Sequence, residues 1–240
     1  EVLLAAWAQW GQACLVRLVG MFAFVVLDQQ VGTLTCVRDA FGIKPFFYAA
    51  QGGEFYFASE IPALKELLPS KPALDWQRAY DYLVHGDYDS GPRTFFEGVS
   101  HLLPGHLFTV DLQARRIGKS ERWWTPNIVE RTDLSFASAT ERVRAQFLHD
   151  IRLHLRSDVP LGAALSGGID SSAVVCAMRH IAPDLPINTF SYIARDSAVS
   201  EEIWVDRVNQ DTGATGHKVV VSGEELARDL EDMIVAQGEP

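Results

Sequence analysis

The residues best equipped for chemistry fall in one short stretch, Ser166-Gly167-Gly168-Ile169-Asp170-Ser171-Ser172. Three hydroxyls, two glycines and a carboxylate crowd these seven positions. Gly167 and Gly168 admit backbone conformations closed to other residues and let an anion approach the main chain. Ser166, Ser171 and Ser172 add hydroxyl donors. A carboxylate repels a bare phosphate, so Asp170 argues for a divalent cation between the two, and Mg²⁺ suits such oxygen donors. No lysine follows the glycines and the four-residue spacer is absent, so the stretch is not a Walker A loop. The plainer alternative is a glycine-rich turn in which Asp170 and Ser171 merely cap a helix.

The elements that must position this stretch are legible on either side. Leu161-Gly162-Ala163-Ala164-Leu165 reads as a short buried strand, and Ser171 to Met178 as helix. The stretch then lies at the carboxyl end of a strand and the start of a helix, where unpaired N–H groups meet anions. Upstream, Phe136 to Arg156 reads as a helix whose Val143, Phe147, Ile151 and Leu155 form a core stripe. Downstream come a strand at Ile187–Ile193, a helix at Glu201–Asp211 ended by Gly213, a strand at His217–Val221 and a helix from Gly223 to Ala236. Strands alternating with helices predict a parallel sheet with right-handed crossovers.

The earlier residues have another grammar. Glu1 to Trp10 is a helix stopped by Gly11, with Val2, Leu3, Ala6, Trp7 and Trp10 on one face. Met21–Asp28 and Thr33–Asp39 read as strands, and Lys44–Ala50 with Glu54–Ser59 as a hairpin turning at Gln51-Gly52-Gly53. Such short strands and tight turns predict antiparallel pairing. Glu60–Leu68 is a short helix ended by Pro69. Asp75 caps another that runs to about His85, with Trp76, Ala79, Tyr80 and Leu83 expected inward. A further hairpin passes through Leu107–Val110, and the block closes on Arg122-Trp123-Trp124. The polar, aperiodic run from Pro126 to Asp133 is a linker. His85, His101 and His106 lack metal-site spacing and read as structural.

Bulk properties narrow the classes. The 240 residues are 48% hydrophobic, enough for ordinary globular cores. A net charge of −10 without a basic block speaks against nucleic-acid binding. No apolar run reaches transmembrane length, so no membrane partner is expected. Cys14, Cys36 and Cys176 have neither even count nor ligand spacing, which suits a reducing compartment. Cys14 has an ordinary peptide amide and an apolar setting, so it reads as core rather than as a nucleophile.

Two sets of motifs carry a resemblance. Ser166 to Ser172 resembles the pyrophosphate loop of the ATP-pyrophosphatase superfamily, and Asp158-Val159-Pro160-Leu161-Gly162 before it resembles the synthetase domain of glutamine-hydrolysing asparagine synthetases. Gly20-Met21-Phe22-Ala23-Phe24, Arg38-Asp39-Ala40-Phe41-Gly42-Ile43-Lys44-Pro45 and Phe57-Ala58-Ser59-Glu60-Ile61-Pro62-Ala63-Leu64 resemble blocks of the class II glutamine amidotransferase domain. There Arg38, Asp39 and Lys44 would brace the sheet and the domain contact rather than catalyse.

The resemblance implies an α+β first part, antiparallel sheets with helices of the N-terminal-nucleophile amidohydrolase kind. An α/β parallel-sheet nucleotide-binding domain of the adenine-nucleotide alpha-hydrolase kind would follow. The expected division is residues 1–125, a linker at 126–135, and 136–240. The implied activity is a ligase's: ATP and aspartate form an aspartyl adenylate, and ammonia released from glutamine displaces AMP. Leu165 and Tyr192 would line the adenine pocket, although Tyr192 stands where the family has a smaller aliphatic residue. Ser166, Gly167, Gly168, Asp170, Ser171 and Ser172 would hold pyrophosphate and Mg²⁺, with Asp170 as metal ligand. Cytoplasmic location and a homodimer are the expected setting. Another acceptor carboxylate, amide-ring closure, or a non-catalytic scaffold are the alternatives.

The family's nucleophilic Cys and glutamine-gripping residues would precede the first helix, and its Ser-Gly-Glu-Gly loop would follow Pro240. No catalytic residue is therefore assigned. Both ends fall in mid-pattern, which leads us to expect a piece of a longer protein, inactive alone.

Overall fold

The computed structural model describes residues 1–88, 90–194 and 200–239; Asp89, residues 195–199 and Pro240 lie outside the described residues. The chain divides into two compact units. One is Glu1–Ile128 with the residues from Glu231 onward, and the other is Val129–Leu230.

In the first unit, α1 (Val2–Trp10) ends at Gly11, whose φ of 54° is costly for residues with a side chain, and a 3-10 turn follows over Gly11–Arg17. Strands β1 (Ala23–Asp28) and β2 (Thr33–Arg38) pair antiparallel around the turn after Asp28. The hairpin β3 (Phe47–Gln51) and β4 (Glu54–Ala58) precedes two helices, α2 (Ile61–Leu67) and α3 (Trp76–His85). Then come β5 (Val99–His101), β6 (His106–Asp111), β7 (Arg116–Ile117) and β8 (Glu121–Arg122). One sheet has the order β1-β2-β6-β7, with β8 also on β6; the other is β4-β3-β5.

Strand alternation explains the layers. Along β2, Leu34 and Cys36 face one side and Val37 the other, and along β6 Phe108 and Val110 oppose Leu107. Cys36, Phe108 and Val110 pack with Tyr48 and Phe55 of the second sheet, so the sheets lie face to face. The Tyr48 and Phe108 rings are 4.8 Å apart. Val37 and Leu107 pack instead with Ala6 and Trp7 of α1 and with Cys14 and Leu15. Leu64 of α2 covers the outer face of the second sheet at Ala49 and Val99. The antiparallel part is thus helix, sheet, sheet, helix, each sheet buried on both faces. Cys14 belongs to this core. Burial raises its thiol pKa, and Cys36 is pushed up to about 12 for the same reason.

Arg38 and Asp39 brace the turn between the sheets. Asp39, 1% exposed, accepts the N–H groups of Phe22, Phe41, Ile43 and Lys44. Arg38 donates to the carbonyls of Gly42, Lys44 and Leu102. Gly42 has φ 65°, and a Cβ there would stand 2.7 Å from Pro104, so glycine is required. His101 contacts Arg38 and the Gly91 carbonyl through its two ring nitrogens, and His106 contacts the Pro104 carbonyl.

The expected inner face of α3 is wrong. Asp75 does cap the helix, accepting from the Arg78 N–H, but Trp76, Tyr80 and Leu83 are exposed while Arg78 is buried. Polar pins orient the helix: Arg93 grips Asp75, and Arg78 pairs with Asp87 at 3.2 Å. The Tyr82 ring packs edge-on against Phe95, 5.3 Å away, on that same side.

In the second unit α4 (Phe136–His154) starts at the Ser135 cap. Next are β9 (Gly162–Ala164), α5 (Ile169–Ile181), β10 (Asn188–Tyr192), α6 (Glu202–Thr212), β11 (Thr215–Val219) and α7 (Gly223–Gln237), whose residues from Glu231 onward fall to the first unit. The three strands form a parallel sheet ordered β11-β10-β9. Leu165, Val175, Met178, Ile187, Ile193 and Val205 make its core, with Ile151 and Leu155 packed against them. The expected stripe on α4 holds only in that second half, since Val143 is 69% exposed. A 19-residue helix runs about 28 Å against about 20 Å for the 13-residue α5, so its first turns overrun their support. Strand β11 pairs from Thr215, two residues earlier than the apolar run His217–Val221 suggests. Gly216 permits this, because a Cβ there would meet the Asn209 side chain of α6 at 2.5 Å.

Candidate functional site

The carboxyl end of β9 delivers the chain into Leu165 and Ser166, and Leu165 N–H bonds the Phe190 carbonyl of β10 at 2.9 Å. Gly167 turns with φ 91°, a conformation that favours glycine, and Gly168 is the N-cap of α5. The helix therefore starts at Ile169, two residues before the apolar run that marks it in the sequence. Asp170, Ser171 and Ser172 all stand in its first turn. Ser172 N–H closes that turn on the Gly168 carbonyl at 3.1 Å. The N–H groups ahead of it have no acceptor within the helix and carry its positive end.

Hydroxyls hold the loop in shape. Ser171 Oγ accepts the Ser166 N–H at 3.2 Å and donates to the Gly168 carbonyl at 3.3 Å. Ser166 Oγ lies 3.0 Å from Ser171 Oγ and accepts the Gly168 N–H at 3.3 Å. Since Ser171 gives its proton to Gly168, Ser166 donates to Ser171. Asp170, exposed on the first turn, completes the set of six polar or glycine positions singled out from the sequence.

Leu165, Ser166 and Tyr192 meet around a cavity of about 300 Å³, together with Ala164, Phe190, Ala194, Ser200 and Glu201. Leu165 contributes its floor, since its side chain is 1% exposed. Tyr192 and Phe190 stand on one face of β10, while Thr189, Ser191 and Ile193 point into the core. Phe190 stacks on His217, ring centroids 4.8 Å apart, and lies over Gly162, where a Cβ would meet it at 2.9 Å. Gly167, Gly168, Ile169 and Ser172 line a second cavity of about 480 Å³ with Glu201, Trp204 and Arg207.

Glu201 and Phe190 are the neighbours that the sequence reading missed. Glu201 touches Gly167: a Cβ on that glycine would lie 2.9 Å from the Glu201 carbonyl oxygen and 3.1 Å from Trp204 Cβ. The available signal was positional, since in a parallel sheet the carboxyl end of the adjoining strand faces the same ligand edge. No cluster of three or more His, Cys, Asp or Glu with metal-binding geometry exists among the described residues. The Asp170 carboxylate suits Mg²⁺, which keeps waters and takes substrate phosphates as its other ligands. No helix among the described residues is long and apolar enough to cross a membrane.

The first unit thus has face-to-face antiparallel sheets and the second a parallel sheet with a glycine- and serine-rich loop at the carboxyl end of a strand. Residues 1–124 match the glutamine amidotransferase domain family and residues 142–240 the asparagine synthase family. Asparagine synthetase [glutamine-hydrolyzing] 3 of Bacillus subtilis is 31% identical over 253 residues, covering 100% of this chain and 41% of that protein. A putative asparagine synthetase [glutamine-hydrolyzing] 2 of Methanocaldococcus jannaschii is 33% identical over 194 residues, 80% of this chain and 37% of its own length. The chain belongs to the glutamine-hydrolysing asparagine synthetase family, and spans about two fifths of the length of these two relatives. A solved glutamine-dependent NAD⁺ synthetase from Acinetobacter baumannii, in complex with ADP, aligns over 97% of this chain and 56% of its own. Its 14% identity and TM-score of 0.30 are too low to bear on fold or site.

Proposed function

We propose that the polypeptide carrying this chain makes an amide at the expense of ATP: asparagine from aspartate, with ammonia taken from glutamine, through an aspartyl adenylate. The observation that carries the nucleotide half is the loop of Ser166 to Ser172. It joins a parallel strand's carboxyl end to a helix N-terminus, its glycines have no side chains to obstruct an anion, and a base-sized cavity adjoins it. The family matches support glutamine and aspartate as the other substrates.

On this reading each residue has a task. The α5 N-terminus and the hydroxyls of Ser166, Ser171 and Ser172 bind the β- and γ-phosphates and stabilise charge as pyrophosphate leaves. Gly167 and Gly168 let the phosphates reach the backbone. Leu165 and Tyr192 border the adenine, the Tyr192 ring offering a face for stacking. Asp170 holds Mg²⁺, which supplies charge neutralisation between carboxylate and phosphates. We assign residues 1–125 to the glutaminase part and 136–240 to the synthetase part, joined by 126–135. The change of compact unit at Ile128/Val129 supports the position of that joint. Free thiols at Cys14, Cys36 and Cys176 favour a reducing compartment, hence the cytoplasm.

Pyrophosphate release tests the reading in the polypeptide that carries this chain. Asp170→Ala should slow it about 100-fold or more, the scale of losing one charge-stabilising group. A rate within a factor of two of wild type would remove Asp170 from the site.

A further inference from the structure

Among the described residues, Glu201 is the one acidic side chain that borders both cavities flanking the phosphate loop. Its backbone and Cβ lie against Gly167, and Oε1 stands 3.9 Å from the position a Gly168 Cβ would take. Its neighbour Glu202 behaves differently. Glu202 accepts from Lys218 Nζ at 2.8 Å, and Asp206 takes the same ammonium at 2.6 Å. No hydrogen bond or ion pair among the described residues engages the Glu201 carboxylate. Two adjacent glutamates therefore have separate fates: one is neutralised at the strand edge, and the other is left with its oxygens available where the two cavities meet.

A nucleotide with its base in the cavity of Leu165 and Tyr192, and its phosphates on Ser166 to Ser172, must carry its ribose across that meeting point. A carboxylate beside phosphates is unfavourable unless something donates to it. The vicinal hydroxyls of a ribose do so, and an acid at this place in a parallel-sheet nucleotide site is a known physical solution. We propose that Glu201 holds the ribose of the bound nucleotide, its carboxylate accepting from the 2′- and 3′-hydroxyls. This rests on the nucleotide reading above and adds to it a recognition of the sugar. The Gly167 contact then has a second purpose: it sets the glutamate at a fixed height beside the loop.

Binding of ATP and of 2′,3′-dideoxyATP, each with Mg²⁺, to the full chain and its variants tests this by calorimetry. The wild type should prefer ATP by about tenfold or more, the usual scale of hydrogen bonds to a charged group. Glu201→Ala should weaken ATP to the level of the dideoxy nucleotide and leave the latter within about twofold. Glu201→Gln, which keeps acceptor oxygen but not charge, should fall between. Glu202→Gln should leave the preference intact. Equal weakening of both nucleotides by Glu201→Ala would overturn the proposal in favour of a role in loop shape or cation binding. Unchanged ATP binding in Glu201→Ala, or a wild type that binds both nucleotides alike, would also overturn it while sparing the phosphate site. Failure of the folded wild type to bind either nucleotide would overturn the nucleotide reading itself, and the ribose contact with it.

Discussion

The carboxylate of Asp39 accepts the N–H of Lys44 at 2.9 Å, closing the loop between β2 and β3 onto its own first residues. The same carboxylate takes Phe22 N–H, just before β1, so one buried side chain ties three segments of the first unit. The resemblance gives Arg38 and Asp39 a bracing role in the sheet. In the structure each of the four groups that donate to the Asp39 carboxylate is a backbone N–H.

Asp39→Ala should therefore be severe, since four N–H groups lose their acceptor in a site 1% exposed. Buried unsatisfied donors cost about 1–3 kcal/mol each, with partial rescue by water, so a net loss of about 3 kcal/mol or more is expected. Asp39→Asn, which retains one acceptor oxygen, should lose less. Urea unfolding of the three proteins would rank them, and an alanine variant within about 0.5 kcal/mol of wild type would exclude the bracing role.

Asp75 gives a pH-dependent counterpart. Hydrogen bonding from Arg93 holds its carboxyl below the usual carboxylate range, aided by the Arg78 N–H it caps. A depressed folded pKa means stability fully present above the unfolded value, about 3.9, and lost as pH falls through the folded value. At pH 7 Asp75→Ala should cost about 1 kcal/mol, the worth of an N-cap. That gap should narrow as pH drops below about 4. Thermal melts of both proteins from pH 7 downward would show it, and a gap constant down to the lowest workable pH would contradict the assignment.

Gly167→Ala probes the loop without removing a polar group. The new Cβ would need φ 91° and would sit 2.9 Å from the Glu201 carbonyl oxygen, so either the loop or the start of α6 must move. Backbone strain of this kind costs about 1–3 kcal/mol. ATP affinity should fall by about tenfold or more, a shift of about 1.4 kcal/mol or more in binding. Gly223→Ala, where nothing lies within 4 Å of the added carbon, is the control expected to bind normally.

Thiol chemistry should separate the cysteines by burial. Cys176 is exposed, whereas Cys14 and Cys36 are buried and both have raised pKa values. Since the thiolate is the reactive form, a maleimide at neutral pH should label Cys176 within minutes and the other two only on unfolding. Rapid native labelling of Cys36, read by peptide mass, would mean that the contact between the two sheets opens readily.

Much of this molecule is written locally. Gly11, Gly86 and Gly213 end helices where a glycine at the end of an apolar period must, because the left-handed conformation is cheap only there. Strands β2 and β6 follow their short buried runs, whereas β9 is largely exposed and β11 is exposed along its whole length. The loop of Ser166 to Ser172 is a local object too, since its hydroxyls and glycines act within seven positions. For that reason the loop, and the resemblance it carries, could be read without coordinates.

Other features depended on what lies far away in sequence. The helix of Trp76 has an apolar stripe that predicts its buried face. Arg93, 18 positions beyond Asp75, and the ring of Phe95 turn the helix so that Arg78 goes inward instead. Helix α4 shows a stripe along its whole length, but only the turns that reach α5 find anything to pack on. The same holds for Glu201, more than thirty positions after Gly167. Sequence separation hides contact across strands of a parallel sheet, because the crossover helix between them sets no visible register. Residue types and periods thus determined most of the elements and the place of the loop between a strand and a helix. Which face each helix buries, and which acid stands beside the loop, was decided only by tertiary packing, where the partners are chosen by geometry rather than by spacing.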